Sequence, residues 1–182
     1  KSKGQTSMSQ HKPFVPPDMK MSEFTLRATL IGLVMCVVLG AANAYLGLKA
    51  GQTIAATYPA AVIGMAVLRL FKGSILEENI ARTAGSIGES VAAGAIFTIP
   101  ALILLGYWDR LHYWETTFIV IVGGLLGVLF SVPIRRALII EEDLPFPEGL
   151  ATAEVLKAGE AGGIGIGALV VGGALGAGYN VW

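Results

Sequence analysis

Gly85–Gly106 reads GSIGESVAAGAIFTIPALILLG, an apolar run in which one carboxylate, Glu89, stands among Gly, Ser and Ala. A helix needs about 20 apolar residues to cross a hydrocarbon core about 30 Å thick, and this run supplies them. A charge placed in such a span costs roughly 2.5–3.5 kcal/mol on insertion scales, so it is normally kept for a partner, an ion or a substrate. The stretch therefore points to a membrane-spanning helix, and Glu89 points to a protein that moves a solute.

Composition agrees. The 182-residue chain is 54% hydrophobic and only 14% charged, with a mean hydropathy of +0.67, whereas soluble domains carry about a quarter charged residues. A net charge of zero exerts no pull on nucleic acid. The single cysteine, Cys36, lies in an apolar run; it rules out a disulfide within the chain and reads as a small apolar filler. No nucleophile–base pair, Cys/His ligand set or cofactor loop is visible, so catalysis, a resident metal and a cofactor are not expected. The glycine-rich run Gly162–Gly167 lacks both the preceding strand and the following Lys-Ser/Thr of a phosphate loop.

Outward from Glu89, spans are expected at about 28–48, 53–71, 85–106 and 116–140, with a fifth at 164–182 that runs to the last residue. The expected fold is all-α, a polytopic integral membrane helical bundle. Residues 1–24 read as a polar cytoplasmic tail, disordered or loosely attached, and 25–182 as the transmembrane domain. Ala42-Asn43-Ala44 imitates a signal-peptide cleavage site, but the apolar run before it is long and three more spans follow. With the tail inside, eleven of the thirteen Lys and Arg fall on the cytoplasmic side, leaving Lys49 and Arg110 outside. That excess gives a cytoplasmic N-terminus, and Trp108, Tyr113 and Trp114 then form an outer interfacial belt. Gly123/Gly127, Gly163/Gly167 and Gly172/Gly176 are small-xxx-small pairs suited to close helix packing.

Two segments interrupt the spans. Asn43–Thr53 places two amides, a phenol and an ammonium between apolar runs, with Gly47 and Gly51 weakening the helix. It can be an outer turn with Tyr45 and Lys49 as anchors, or an unwound segment lining a cavity, since irregular backbone at membrane depth is tolerated only there or in buried protein. Arg135–Gly149 holds Glu141, Glu142 and Asp143 followed by Pro145 and Pro147. The prolines require a helix to end near Glu142 and another to start at Pro147, with Glu148 in its first turn. The acidic run reads as a solvated, Arg-paired cluster rather than a metal site.

The phrases NAYLGLKAGQTIAATYPAAV, ENIARTAGSIGESVAAGAIFTIPALILLG and SVPIRRALIIEEDLPFPEGLATAEVLKAG occur in this order. Together they resemble the N-terminal part of the oligopeptide transporter family, most closely its bacterial and yellow stripe-like branches, over roughly Phe24–Gly159. The resemblance implies a many-helix membrane protein that uses a proton gradient, with no cofactor, to import small peptides or metal chelates. Family members are several times longer, so a larger transporter, or one subunit of a split assembly, is expected, with the remaining helices, lipid and a further copy of the chain as partners. On this basis Glu89 is the candidate proton- or amine-binding carboxylate, supported by Ser86 and Ser90, while Asn43, Tyr45, Lys49 and Gln52 line the cavity. Alternatively, Glu89 is an interfacial residue near the start of its span, and the chain is a non-transporting assembly module. Arg82, seven residues away, is about 10 Å along one helix and too far for direct pairing.

Overall fold

The computed structural model describes residues 14–16, 18–142, 144–161, 171–172 and 175. The fifth expected span and Gly163, Gly167 and Gly176 lie outside them, apart from three isolated positions of that span, as do residues 1–13 of the tail. The elements are α1 (Leu26–Ala50), α2 (Thr57–Leu70), α3 (Ile75–Leu104), α4 (Tyr113–Arg135), which continues as a π-helical stretch over Arg136–Glu141, and α5 (Pro147–Ala161). The fold is an all-helical membrane bundle, with no strand among the described residues. Three helices, Leu26–Ala50, Ile75–Leu104 and Tyr113–Ile139, are long and apolar enough to cross a membrane.

α1 and α3 run parallel and in close contact, because glycine and alanine remove the side chains between them. Gly32 packs on Ala81 and Ala84, Gly40 on Gly88, and Gly47 on Ile96. A Cβ added at Gly88 would lie 1.9 Å from the carbonyl oxygen of Cys36, so the two backbones nearly touch. The pair expected to pack from sequence, Gly123 and Gly127, instead has no neighbour near either Cα among the described residues. α4 has no buried residue at all.

The first turns of α1 and α3 are locked together at what we call the lower end of the bundle. Ser74 caps α3 in a capping box with Glu77, satisfying first-turn N–H groups reciprocally. Arg27 Nε and Nη2 donate to Glu77 at 2.7 and 2.6 Å, and Arg27 Nη1 donates to the Phe71 carbonyl at the end of α2. Thr25, which caps α1, also donates to Glu77. Glu78 pairs with Arg69 of α2 at 3.5 Å. Glu77 and Glu78 are both fully buried. Hydropathy alone misses this part of α3, which begins ten residues before the expected start at Gly85 because its charges are spent on neighbouring helices instead of water.

The tail also makes contacts where it is described. Val15 and Met21 pack against the cluster of Ala61, Met65, Ile75 and Leu156, and the Ser22 carbonyl accepts from Ser74 Oγ. Val15, Met21 and Ser22 thus meet the bundle through apolar contact and a hydrogen bond.

α2 is shorter than its apolar run. The cause is Asn43, buried in α1, whose Oδ1 accepts from Ile54 N–H at 2.9 Å while its Nδ2 donates to the Ile54 carbonyl at 3.1 Å. This two-point clamp holds the non-helical stretch after Gly51, whose φ of 68° ends α1 in the left-handed region. α2 then runs for 14 residues, about 21 Å, too short for the hydrocarbon core. It is antiparallel to α3: Ala60 meets Gly85, and Gly64 lies beside Glu78 and Ala81. α5 runs beside α2 in the same direction. Its Leu156 joins the cluster with Ala61 and Met65, and Gly159 abuts Met65 and Arg69.

Two outcomes test this packing. Gly88→Ala should lower the melting temperature of the purified protein by the equivalent of about 1–3 kcal/mol of overpacking. Gly64→Ala, where the new methyl would meet Met35 and Ala81 at 3.7–3.8 Å, should not. Asn43→Leu, similar in size but unable to bond, should cost about 1–3 kcal/mol for each Ile54 backbone group left unpaired. It should also speed amide exchange at Ile54 selectively.

Candidate functional site

Glu89 stands at the midpoint of the 30-residue α3, roughly 20 Å of rise from either end. It is thus central in the helix, whereas it lies near the start of the apolar run read from sequence, because the helix starts earlier than its apolar content does. Its side chain is half-buried and lines an open cavity of about 790 Å³. That volume lies within the 300–1,000 Å³ typical of small-molecule sites.

The cavity exists because the short helix α2 and the helix α5 both begin beside Glu89. Thr53 and Ala55 of the clamped segment and Thr57, the first residue of α2, form one wall. Phe146 to Gly149, where α5 begins, form another, and Arg82, Glu89 and Ser90 of α3 complete it. The N-terminal ends of α2 and α5 both face this space, and each brings partial positive charge. Glu148, in the first turn of α5, is placed where that charge favours a carboxylate. The break before α5 follows from Pro145 and Pro147, as the sequence predicts; Arg136 pairs with Glu141 at 3.3 Å just before it.

Arg82 is the unusual member. Its Nη2 donates to Asn79 Oδ1 at 2.8 Å and to Thr83 Oγ1 at 3.1 Å, both uncharged. Its Nε is buried with no hydrogen-bond partner among the described residues. Neither Arg82 nor Glu89 has an ion-pair partner there. The cavity therefore contains a guanidinium and two carboxylates, Glu89 and Glu148, that do not neutralise one another directly. Such a site can hold a ligand carrying both signs of charge, and it offers no arrangement for making or breaking covalent bonds.

The seven residues singled out from sequence separate into groups. Glu89 and Ser90 share the cavity with Arg82. Ser90 also borders a second groove of about 500 Å³ between α3 and α4, and Ser86 lines only that groove. Both serine hydroxyls donate back to the helix, Ser86 to the Thr83 carbonyl at 3.0 Å and Ser90 to the Ser86 carbonyl at 3.3 Å. Asn43 is engaged with Ile54 and does not border the cavity. Tyr45, Lys49 and Gln52 are exposed at the upper end of α1, where Lys49 donates to the Tyr45 hydroxyl at 3.0 Å and lies over its ring. None of these four lines the cavity that holds Glu89. Sequence reasoning missed Thr53, Thr57 and Arg82 as wall residues, the last because it was weighed only as a partner for Glu89. The signal for the opposite wall was present in Pro147 and Glu148 but was read as helix punctuation.

Comparison with known proteins agrees with this architecture. Residues 23–179 match the family described as OPT oligopeptide transporter protein. A Haemophilus influenzae protein provisionally named an oligopeptide transporter is 51% identical over 116 residues, 63% of this chain and 18% of that protein. A Saccharomyces cerevisiae protein with the same provisional name is 26% identical over 181 residues, covering 84% of this chain and 24% of its own length. The chain thus spans less than a quarter of the curated relatives it matches. No solved structure matches it. The family is one of transporters and not of enzymes. An all-helical membrane fold, a charged cavity beside the middle of α3 and a family match over most of the chain lead to one conclusion: this protein belongs to the oligopeptide transporter family.

Proposed function

We propose that the protein carries small peptides, or metal chelates of amino-acid-derived ligands, across a membrane by secondary active transport driven by a proton gradient. The observation that carries this reading is Glu89, central in a membrane-length helix and open to a cavity between the starts of α2 and α5. Transporters commonly bind substrate near the bilayer midplane, where discontinuous helices present their ends. Glu89 serves as the proton- or amine-binding carboxylate, with Ser90 beside it and Ser86 one turn below. Asn43 acts by holding the broken segment, and Tyr45, Lys49 and Gln52 belong to the entrance on the upper side.

The excess of Lys and Arg expected on the side of the tail supports a cytoplasmic N-terminus, and the plasma membrane is the proposed location. The unburied surface of α4, including Gly123 and Gly127, is the face on which the remaining helices of the transporter dock. A second copy of the chain is the other candidate for that face.

The test is uptake of a peptide mixture and of chelated metals by proteoliposomes holding the protein as its gene encodes it, with and without an inward proton gradient. Wild type should accumulate one class when the gradient is present. Glu89→Gln should abolish gradient-driven accumulation while substrate exchange at equal pH persists. Unchanged uptake with an unchanged pH profile would remove Glu89 from the coupling step.

A further inference from the structure

Arg82 is an expensive residue to keep where it is. A guanidinium in a membrane-spanning helix is normally paired with a carboxylate or brought to water, and Arg82 has no carboxylate at ion-pairing distance among the described residues. Its hydrogen bonds to Asn79 and Thr83 fix its orientation without neutralising it. The neighbouring arginines show the contrast, since Arg27 and Arg69 each pair with a buried glutamate. Arg82 alone of the three lines the cavity.

Its relation to Glu89 is set by helix geometry. Seven residues are almost two full turns, so both side chains leave α3 on the same face, separated by about 10 Å of rise. An extended peptide advances about 3.3–3.6 Å per residue, so the interval corresponds to about three residues. Glu148 adds a second carboxylate to the walls, so the cavity holds one cation and two anions.

Building on the transport reading above, we propose that the cavity recognises both ends of a short peptide: Arg82 binds the terminal carboxylate, and Glu89, with Glu148, binds the terminal ammonium. The preferred ligand is a zwitterion of about three residues. Each charge then meets its complement, and a guanidinium suits a carboxylate because it can bind both oxygens. Side chains of the ligand are left to the apolar parts of the wall, including Ala55 and Phe146. Selection by termini tolerates many peptide sequences while rejecting blocked ones.

The experiment is binding of trialanine, trialanine amide and N-acetyl-trialanine to the purified full-length protein, by calorimetry, with gradient-driven uptake measured in parallel. Wild type should bind trialanine roughly tenfold or more tightly than either blocked peptide, each having lost one charge-assisted contact. Arg82→Gln should weaken trialanine to the level of its amide and leave the amide's own affinity unchanged, which also reports that the variant is folded. Arg82→Lys should restore part of the preference. Glu89→Gln should preserve the preference for a free carboxylate. Wild type that binds trialanine and its amide equally overturns the proposal without needing any variant. So does an Arg82→Gln protein that still prefers the free acid; in both cases peptide transport itself stands. No binding and no uptake of any peptide overturns the transport reading for peptides together with the proposal.

Discussion

The pair of hydrogen bonds between the Asn43 amide and the backbone of Ile54 is the contact on which the cavity depends. Backbone groups in hydrocarbon must be satisfied within the protein. An extended segment after α1 would leave several of them without partners, and one buried amide supplies a donor and an acceptor at the place where the chain turns. With that segment held, α2 begins beside Glu89 instead of at the upper surface. Its short length, the wall formed by Thr53 to Thr57 and the opening above Glu89 all follow.

A second constraint operates at the lower end, where buried carboxylates link helices. Glu77 completes the cap of α3, accepts from the cap residue of α1 and takes two bonds from Arg27, which also reaches the end of α2. Charged groups of this kind are costly to bury, and removing one partner leaves the other uncompensated. The result is a specific lower end that holds three helices in one register. Among the described residues the upper end has no comparable network, and Tyr45 and Lys49 simply pair with each other in the open.

Glycine is used differently in the two helix pairs. Between α1 and α3 it brings backbones to van der Waals contact at Gly40 and Gly88, which fixes the face that α3 turns toward α2 and α5. Gly123 and Gly127 of α4, four residues apart, meet no described partner. Spacing therefore identifies surfaces capable of close approach and does not say which of them meet. The match to relatives several times longer is consistent with further contacts for α4.

The sequence by itself determined the membrane class, the all-helical fold, the break before Pro147, the family, and the choice of Glu89 as a residue to explain. These are local properties: apolar run length, proline chemistry and a lone charge are legible without knowing what lies alongside. Tertiary structure alone decided where α3 begins, since Glu77 and Glu78 look like a solvated loop until Arg27 and Arg69 are seen to neutralise them. It decided that Asn43 is a clamp, because its partner lies eleven residues away across a reversal of the chain. The seven-residue spacing puts Arg82 and Glu89 on one face of α3, but only helix packing decided that this face meets the start of α5.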